Sequence, residues 1–509
     1  MDKEYKQLIN GTTVNGIGLV LMLLSGFFII PIQILYLGVE AYGLIVISSI
    51  FSIKGLIAIL DLGIPGALTQ HVAKLNKDSR DGDVQTVYSS NIVVFTLIGL
   101  VLGIILLLSS SVLGSYFVKE LDEYQAMFTL GLQAIFLSYV WQFPLLILRA
   151  QMLGLALFRH LQFVTVAVEL LRFLAVFSLL NLGYGFQSVI FCNALFPIFE
   201  VLLFLILCPT SFNLPSLREG RCSLTQIWRM SKLLFVGRLS GSVLNNCDKL
   251  VASVVLSPSA VAFIDIFTKM PALLNRLLGL AVSSIIPVIA GLRWPVDKEK
   301  VNNIYHFGFK IYFVSVSLPI FQLAYFTTEV LNLWIGQEDQ GLVVAMRLML
   351  LWTLLVPLQF GGNFLVGLNR HVGSLTVARV VMTALKVVSL IALVSSVGYY
   401  AVPLSYLISS IAILYLLLIF KTAIDISLLR QVIDYVRIIF SAAVPIIGYH
   451  FILGGLSVLR LPNLLASIVL ITVVQLGICY FVAIKNKERR RLKEIIAGKL
   501  GAFITPRAQ

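Results

Sequence analysis

Residues 87–110, VYSSNIVVFTLIGLVLGIILLLSS, run for 24 positions without one charged side chain. At 1.5 Å per residue a helix of this length covers about 36 Å, enough to cross the hydrocarbon core of a bilayer. Comparable apolar stretches recur at approximately 13–37, 44–67, 125–148, 163–182, 188–208, 231–256, 260–290, 307–328, 341–366, 374–396, 402–420, 437–457 and 462–484. The expected fold is an all-α polytopic membrane protein of about 14 transmembrane helices.

Composition supports this. Of 509 residues, 59% are apolar and 12% charged, and the mean hydropathy is +0.97. A soluble chain carries about a quarter charged residues, so a large soluble enzyme is excluded. The net charge of +14 does not point to nucleic acid, because the basic residues lie between apolar runs rather than on one folded face. The five cysteines are odd in number, lack CxxC spacing and read as small buried hydrophobes. No two of the five histidines stand three or four residues apart, so neither a metal site nor a cofactor is expected. The apolar stretch Val14–Leu37 is too long for a signal-peptide core and lacks a cleavage site, which makes it the first span.

Orientation follows from the loops. With the N-terminus inside, 26 of the 38 Lys and Arg fall in inner loops and tails, against Lys119 and Arg460 outside. Both termini are then cytoplasmic, and the number of spans is even. The inner loop near 209–230 and the outer loops near 111–124 and 329–340 are too small to be domains. The expected division is a six-helix lobe over 1–208, a cytoplasmic linker over 209–230 and a second six-helix lobe over 231–420. Two additional helices over 421–484 and a basic cytoplasmic tail over 485–509 complete it. In that tail Leu492, Ile495, Ile496 and Leu500 share one face among basic residues, as in a helix lying on anionic lipid; topology alone would explain the charges equally well. Prolines 31, 144, 197, 271, 287, 319, 357 and 445 sit inside expected spans, where each removes a backbone hydrogen bond and favours a bend.

The remaining ten cations lie inside apolar runs: Lys54, Arg172, Arg238, Lys249, Lys269, Arg276, Lys310, Arg347, Arg379 and Lys386. The acids there are Asp61, Glu169, Glu200, Asp248 and Asp265. A charge at mid-bilayer costs about 2.5–3.5 kcal/mol on insertion scales, less near span ends, where long side chains reach the interface. Lys310, Arg347 and Arg379 lie close to span ends and are expected to reach it. Glu169–Arg172 and Asp265–Lys269 have the three- or four-residue spacing of a local ion pair. Lys54, Arg238, Arg276 and Lys386 have no acid at those offsets, and a partner on another helix is the alternative for each. With cations outnumbering acids, pairing cannot neutralise them all. Arg238, Asn245 and Lys249 form one helical stripe, Asp265, Lys269 and Arg276 another, and Lys54 and Asp61 a third. Three such stripes imply a water-filled, net cationic cavity. Leu24-Ser25-Gly26 and Leu239-Ser240-Gly241 are a faint internal echo at an offset that also carries Lys54 onto Lys269, as two related bundles would give.

The segments LYLGVEAYGL (35–44) and AILDLGIPGALTQHVAKLNKD (58–78) resemble the N-terminal signature of bacterial polysaccharide flippases, within the multidrug/oligosaccharidyl-lipid/polysaccharide exporter superfamily. NNCDKLVASVVLSPSAVAFID (245–265) resembles that family's seventh span, with Asp248 and Lys249 at the usual acid–base step. The resemblance implies an O-antigen-type flippase of the bacterial inner membrane, a transporter and not an enzyme, with no catalytic residues. It implies two pseudo-symmetric six-helix bundles plus two C-terminal helices, working by alternating access coupled to H+ or Na+. The substrate implied is an undecaprenyl-diphosphate-linked oligosaccharide moved from the cytoplasmic to the periplasmic leaflet, with membrane lipids, a polysaccharide polymerase and a chain-length regulator as partners. Lys54, Arg238, Lys249, Lys269, Arg276 and Lys386 are then the candidate ligands for its diphosphate and anionic sugars. Asp61, Asp248, Asp265 and Glu200 are the ion-coupling candidates, Asp61 foremost because Lys249 and Lys269 would hold Asp248 and Asp265 ionised. A membrane-embedded polymerase or ligase is the alternative from another class, opposed by the short outer loops. A drug or cation antiporter of the same superfamily is the other, opposed by the basic character of the cavity.

Overall fold

The computed structural model describes residues 2–52, 55, 63–78, 81–118, 122–207, 246–283, 294–336, 339–453 and 461–482, with isolated positions between them. Among the described residues there is no strand, and nine helices are long and apolar enough to cross a membrane, or ten if one bent pair is a single span. The chain is a multi-pass helical membrane protein.

The chain divides into two compact units, Met1–Lys269 with Thr383–Ser405, and Met270–Met382 with Tyr406–Gln509. The first contains α1 (Asp2–Ile50), α2 (Ile64–Lys77), α3 (Asp81–Leu108), α4 (Ser110–Phe117), α5 (Asp122–Leu137), α6 (Tyr139–Gly154), α7 (Phe158–Asn181), α8 (Gly185–Leu207) and a helix over 246–255, here α9. α10 (Pro258–Ser283) begins in the first unit and ends in the second. The second unit continues with α11 (Lys298–Tyr325), α12 (Thr327–Ile335), α13 (Gln340–Leu355) and α14 (Gly361–Gly367). α15 (Val372–Val397) and α16 (Ala401–Ser409) cross the division, and α17 (Ala412–Ile424), α18 (Leu428–Leu453) and α19 (Leu461–Val482) complete the chain.

Small residues set the close packing of the first unit. A Cβ on Gly99 would collide with the Tyr139 carbonyl oxygen, and one on Gly103, a turn later, would meet that of Phe136. This pair of glycines lets α3 lie against α5 and α6 with backbones nearly touching, the usual device where lipid offers no hydrophobic drive. The expected first span and the start of the second, as far as Ile50, are two helical stretches joined at a kink at Gly38 (φ 80°, ψ 170°), a conformation open to glycine alone. The expected span 125–148 is α5 and α6, bent by 44° at Ser138, nearly two turns before Pro144. Pro31, Pro144, Pro197, Pro271, Pro319 and Pro445 lie inside helices, and Pro357 opens a 3-10 turn over Val356–Phe360.

In the second unit α11 is the central element, packed on α13, α18 and α19. Its Tyr305, Phe309 and Phe313 stack in succession, and Tyr435 of α18 lies flat on Phe313 with centroids 4.4 Å apart. Gln322 donates to Gln475 (2.7 Å) and Thr472 (2.9 Å), tying α11 to α19, and Gln475 donates to the Ala442 carbonyl of α18. Outward positions are apolar, including Leu108, Phe163, Leu418 and Phe451, as lipid contact requires.

Two expectations about charges change here. Lys310 does not reach an interface: it is buried in α11 and pairs with Asp434 of α18 at 3.3 Å. Arg149, one of the 26 cations counted above as lying in inner loops and tails, instead lies within α6 and faces Glu200. In each case an acid on another helix, invisible to local spacing, holds the cation inside. Arg347 and Arg379 are exposed.

Candidate site of paired charges in the first unit

The site begins with two adjacent residues. Successive positions on a helix point 100° apart, so Asp248 and Lys249 on α9 face different neighbours. Asp248 faces α15, where Lys386 donates to its Oδ2 at 2.8 Å and also to the Leu244 carbonyl. Lys386 is completely buried and the Asp248 side chain 4% exposed. Such a pair survives in an apolar interior because the ammonium also finds a carbonyl acceptor.

Lys249 faces α10, where it forms an ion pair with Asp265. Lys269, one turn further along α10, lies 3.4 Å from the other oxygen of the same carboxylate. The Tyr42 hydroxyl of α1 donates to that oxygen at 2.6 Å. Tyr42 can reach it because Gly43 has no side chain: a Cβ there would run into the Pro258 carbonyl oxygen at the start of α10. One buried carboxylate thus joins α1, α9 and α10. The local pair expected for Asp265–Lys269 is present, and Lys249 serves Asp265 rather than Asp248.

Among the described residues, the ion pairs of this arrangement join three lysines to two acids. The three lysines are graded in exposure, with Lys386 sealed, the Lys249 side chain 24% exposed and the Lys269 side chain 41%. Chemically, Lys269 and Lys249 can offer ammonium donors to an anion, whereas Lys386 has its donors engaged.

Of the other expected site residues, Lys54, Asp61 and Arg238 lie outside the described residues. Arg276 is exposed on the part of α10 that belongs to the second unit, with no ion pair among the described residues. Glu200 of α8 is buried and held by a two-pronged contact from Arg149 (2.8 and 2.7 Å) and by the Thr165 hydroxyl (3.2 Å). Glu169 and Arg172 form their expected pair, and Arg172 also donates to Asn193 at 2.6 Å. Spacing along the chain does not reveal Tyr42, Arg149 and Asp434 as partners. A tyrosine beside a glycine at a span start is the only sequence hint of the first, and the other two are obscured by the expected span ends.

A family model described as polysaccharide biosynthesis protein matches residues 8–293. Among solved structures, the lipid II flippase MurJ in an inward closed conformation superposes with a TM-score of 0.71 at 14% identity, covering 93% of this chain and 98% of that one. An inward-facing multidrug resistance MATE family transporter of the MOP superfamily gives 0.66 at 14% identity, covering 78% and 94%. A MOP superfamily transporter from Pyrococcus furiosus, described as having a binding pocket of reverse polarity that suggests a different function, gives 0.59 at 14% identity, covering 82% and 95%. No curated protein sequence matches the chain. At these identities the structural likeness is one of fold.

Proposed function

Because the chain belongs to the polysaccharide biosynthesis protein family and has the fold of MOP superfamily transporters, we propose that it is a flippase for an undecaprenyl-diphosphate-linked oligosaccharide. In this reading it works without catalysing a reaction. It lies in the bacterial inner membrane with both termini cytoplasmic, and passes an O-antigen-type repeat unit to the periplasmic leaflet by ion-coupled alternating access. Residues 1–208 and 231–420 act as the two lobes, with 421–484 added to the second.

The observation that carries this reading is the shared carboxylate of Asp265, which meets two ammonium groups and leaves the second, Lys269, accessible. A diphosphate brings the same kind of oxygen acceptor that Asp265 supplies, with more negative charge. Lys249 and Lys269 are therefore its first ligands, joined by Lys54, Arg238 and Arg276 as the lipid moves. Lys386, sealed against Asp248, organises α9 and α15 instead of meeting the headgroup. Among the coupling candidates Asp248, Asp265 and Glu200 are each held by a cation, which supports Asp61 as the one that exchanges the coupling ion.

The test is export. In a strain lacking the chain, wild type restores surface polysaccharide and a Lys249→Gln/Lys269→Gln variant, present in the membrane at wild-type level, does not. Normal export by that variant refutes the assignment of the headgroup ligands.

A further inference from the structure

The first unit carries a second group of charges, on α7 and α8, that the proposed diphosphate ligands do not include. The exposed apolar stripe of α7 is Phe163, Leu170 and Leu174, and that of α8 is Phe191, Leu195 and Leu202. At about 100° per residue, Arg172 stands about 180° round α7 from Phe163, and Glu169 about 120°. On α8, Asn193 and Glu200 stand within about 20° of the position opposite Phe191. The two helices pack on each other, so these polar side chains turn away from lipid and into the unit. Glu169 and Arg172 also sit near the middle of α7, roughly 17 and 21 Å along a helix of about 36 Å.

Arg172 grips Glu169 through Nε (3.3 Å) and Nη2, and turns Nη1 to Asn193 Oδ1 at 2.6 Å. These contacts leave N–H groups of the guanidinium and the Asn193 amide nitrogen to donate, and a carboxylate accepts more bonds than the two that Arg172 supplies. Sealing separates this pair from the purely structural ones. The side chains of Lys386–Asp248 are 0% and 4% exposed and those of Lys310–Asp434 2% each, whereas Glu169 keeps 13% and Arg172 17%. Asn193 and Thr165, on the same inward side, are half-buried too. An ion pair at mid-span that faces neither lipid nor a sealed core faces water or a polar ligand.

We propose that Glu169, Arg172 and Asn193 form a carbohydrate subsite of the first unit, which takes hydroxyl groups of the oligosaccharide while Lys249 and Lys269 hold its diphosphate. The inference rests on the reading of the chain as a flippase and adds to it the place where the sugar is recognised. Among the described residues the charges of this group cancel, so it has no surplus with which to draw an anion or a cation. It presents fixed donors beside fixed acceptors instead. A sugar hydroxyl both donates and accepts, so neighbouring hydroxyls on one ring can bond a guanidinium or amide N–H and a carboxylate oxygen together. Such a site also discriminates, because a sugar without the matching hydroxyl displaces water from these polar groups and returns no hydrogen bond.

The experiment titrates the purified full chain, in mild detergent, with two lipids and reads binding by microscale thermophoresis. One is the undecaprenyl-diphosphate-linked repeat unit extracted from cells in which the chain is deleted, the other undecaprenyl diphosphate alone. Wild type is expected to bind the sugar-bearing lipid about tenfold more tightly or better. Asn193→Ala and the charge-neutral Glu169→Gln/Arg172→Gln are each expected to lose about tenfold on that lipid, the worth of one or two hydrogen bonds, and to bind undecaprenyl diphosphate as wild type does. Lys249→Gln/Lys269→Gln is expected to weaken both. A merely structural role for the pair would weaken both lipids together or neither, and either result, in variants of wild-type helicity, overturns the subsite. Asn193→Ala decides alone should the double variant not fold. If wild type binds both lipids equally, the subsite fails while the flippase reading stands; if it binds neither, the flippase reading fails and the subsite with it.

Discussion

Replacing Lys386 by Met tests how the α9–α15 contact is held. The substitution keeps the length of the side chain and removes an ammonium that is completely buried and bonded to Asp248 and to the Leu244 carbonyl. Breaking a buried pair from one side leaves the other charge uncompensated, at a cost of about 3–5 kcal/mol. The carbonyl loses its donor as well, for about 1–3 kcal/mol. Adding Asp248→Asn removes the stranded charge, so the double variant should retain only the carbonyl cost and recover about 3 kcal/mol relative to Lys386→Met alone. A recovery of that size changes the folded-to-unfolded ratio by roughly a hundredfold. The measurement is a double-mutant cycle on the purified chain in mild detergent, following far-ultraviolet helicity as a denaturing detergent is added. Additive effects, with the double variant as unstable as the two singles combined, would refute the buried pair.

Other outcomes follow from the same geometry. Arg149→Met should destabilise by a similar amount through Glu200, with Arg149→Met/Glu200→Gln restoring most of the loss in that assay. Gly43→Ala should cost about 1–3 kcal/mol by forcing α1 away from Pro258, whereas Gly26→Ala, in open space, should leave the unfolding midpoint within error. Lys298 holds the exposed Asp425 carboxyl below the usual carboxylate range. Any stability from that depressed value exists above the unfolded pKa and is lost as the pH falls through the folded one. For so exposed a pair, helicity curves of wild type and Lys298→Gln should overlay at neutral pH; a clear separation there would contradict this.

Hydropathy made the helical fold legible because every span must satisfy its own backbone hydrogen bonds in lipid, whatever it packs against. It could not locate the break at Ser138 or the interruption at Gly38, which depend on neighbouring backbones and on one residue's dihedral angles. Spacing along one helix found Glu169–Arg172 and Asp265–Lys269, since both partners lie on the same helix. It was blind to Asp248–Lys386, Arg149–Glu200 and Lys310–Asp434, whose members are 138, 51 and 124 residues apart in the chain. The individual lysines around Asp265 are more fully engaged than a count of local partners suggested.

The double occupancy of Asp265 also sets a ceiling on grip. In the proposed reading, a phosphate arriving beside Lys249 and Lys269 shares their ammonium groups with a carboxylate that already draws on them, so part of its attraction is offset from the start. Such a competitor in place limits retention, which a carrier that must let go of its passenger would require.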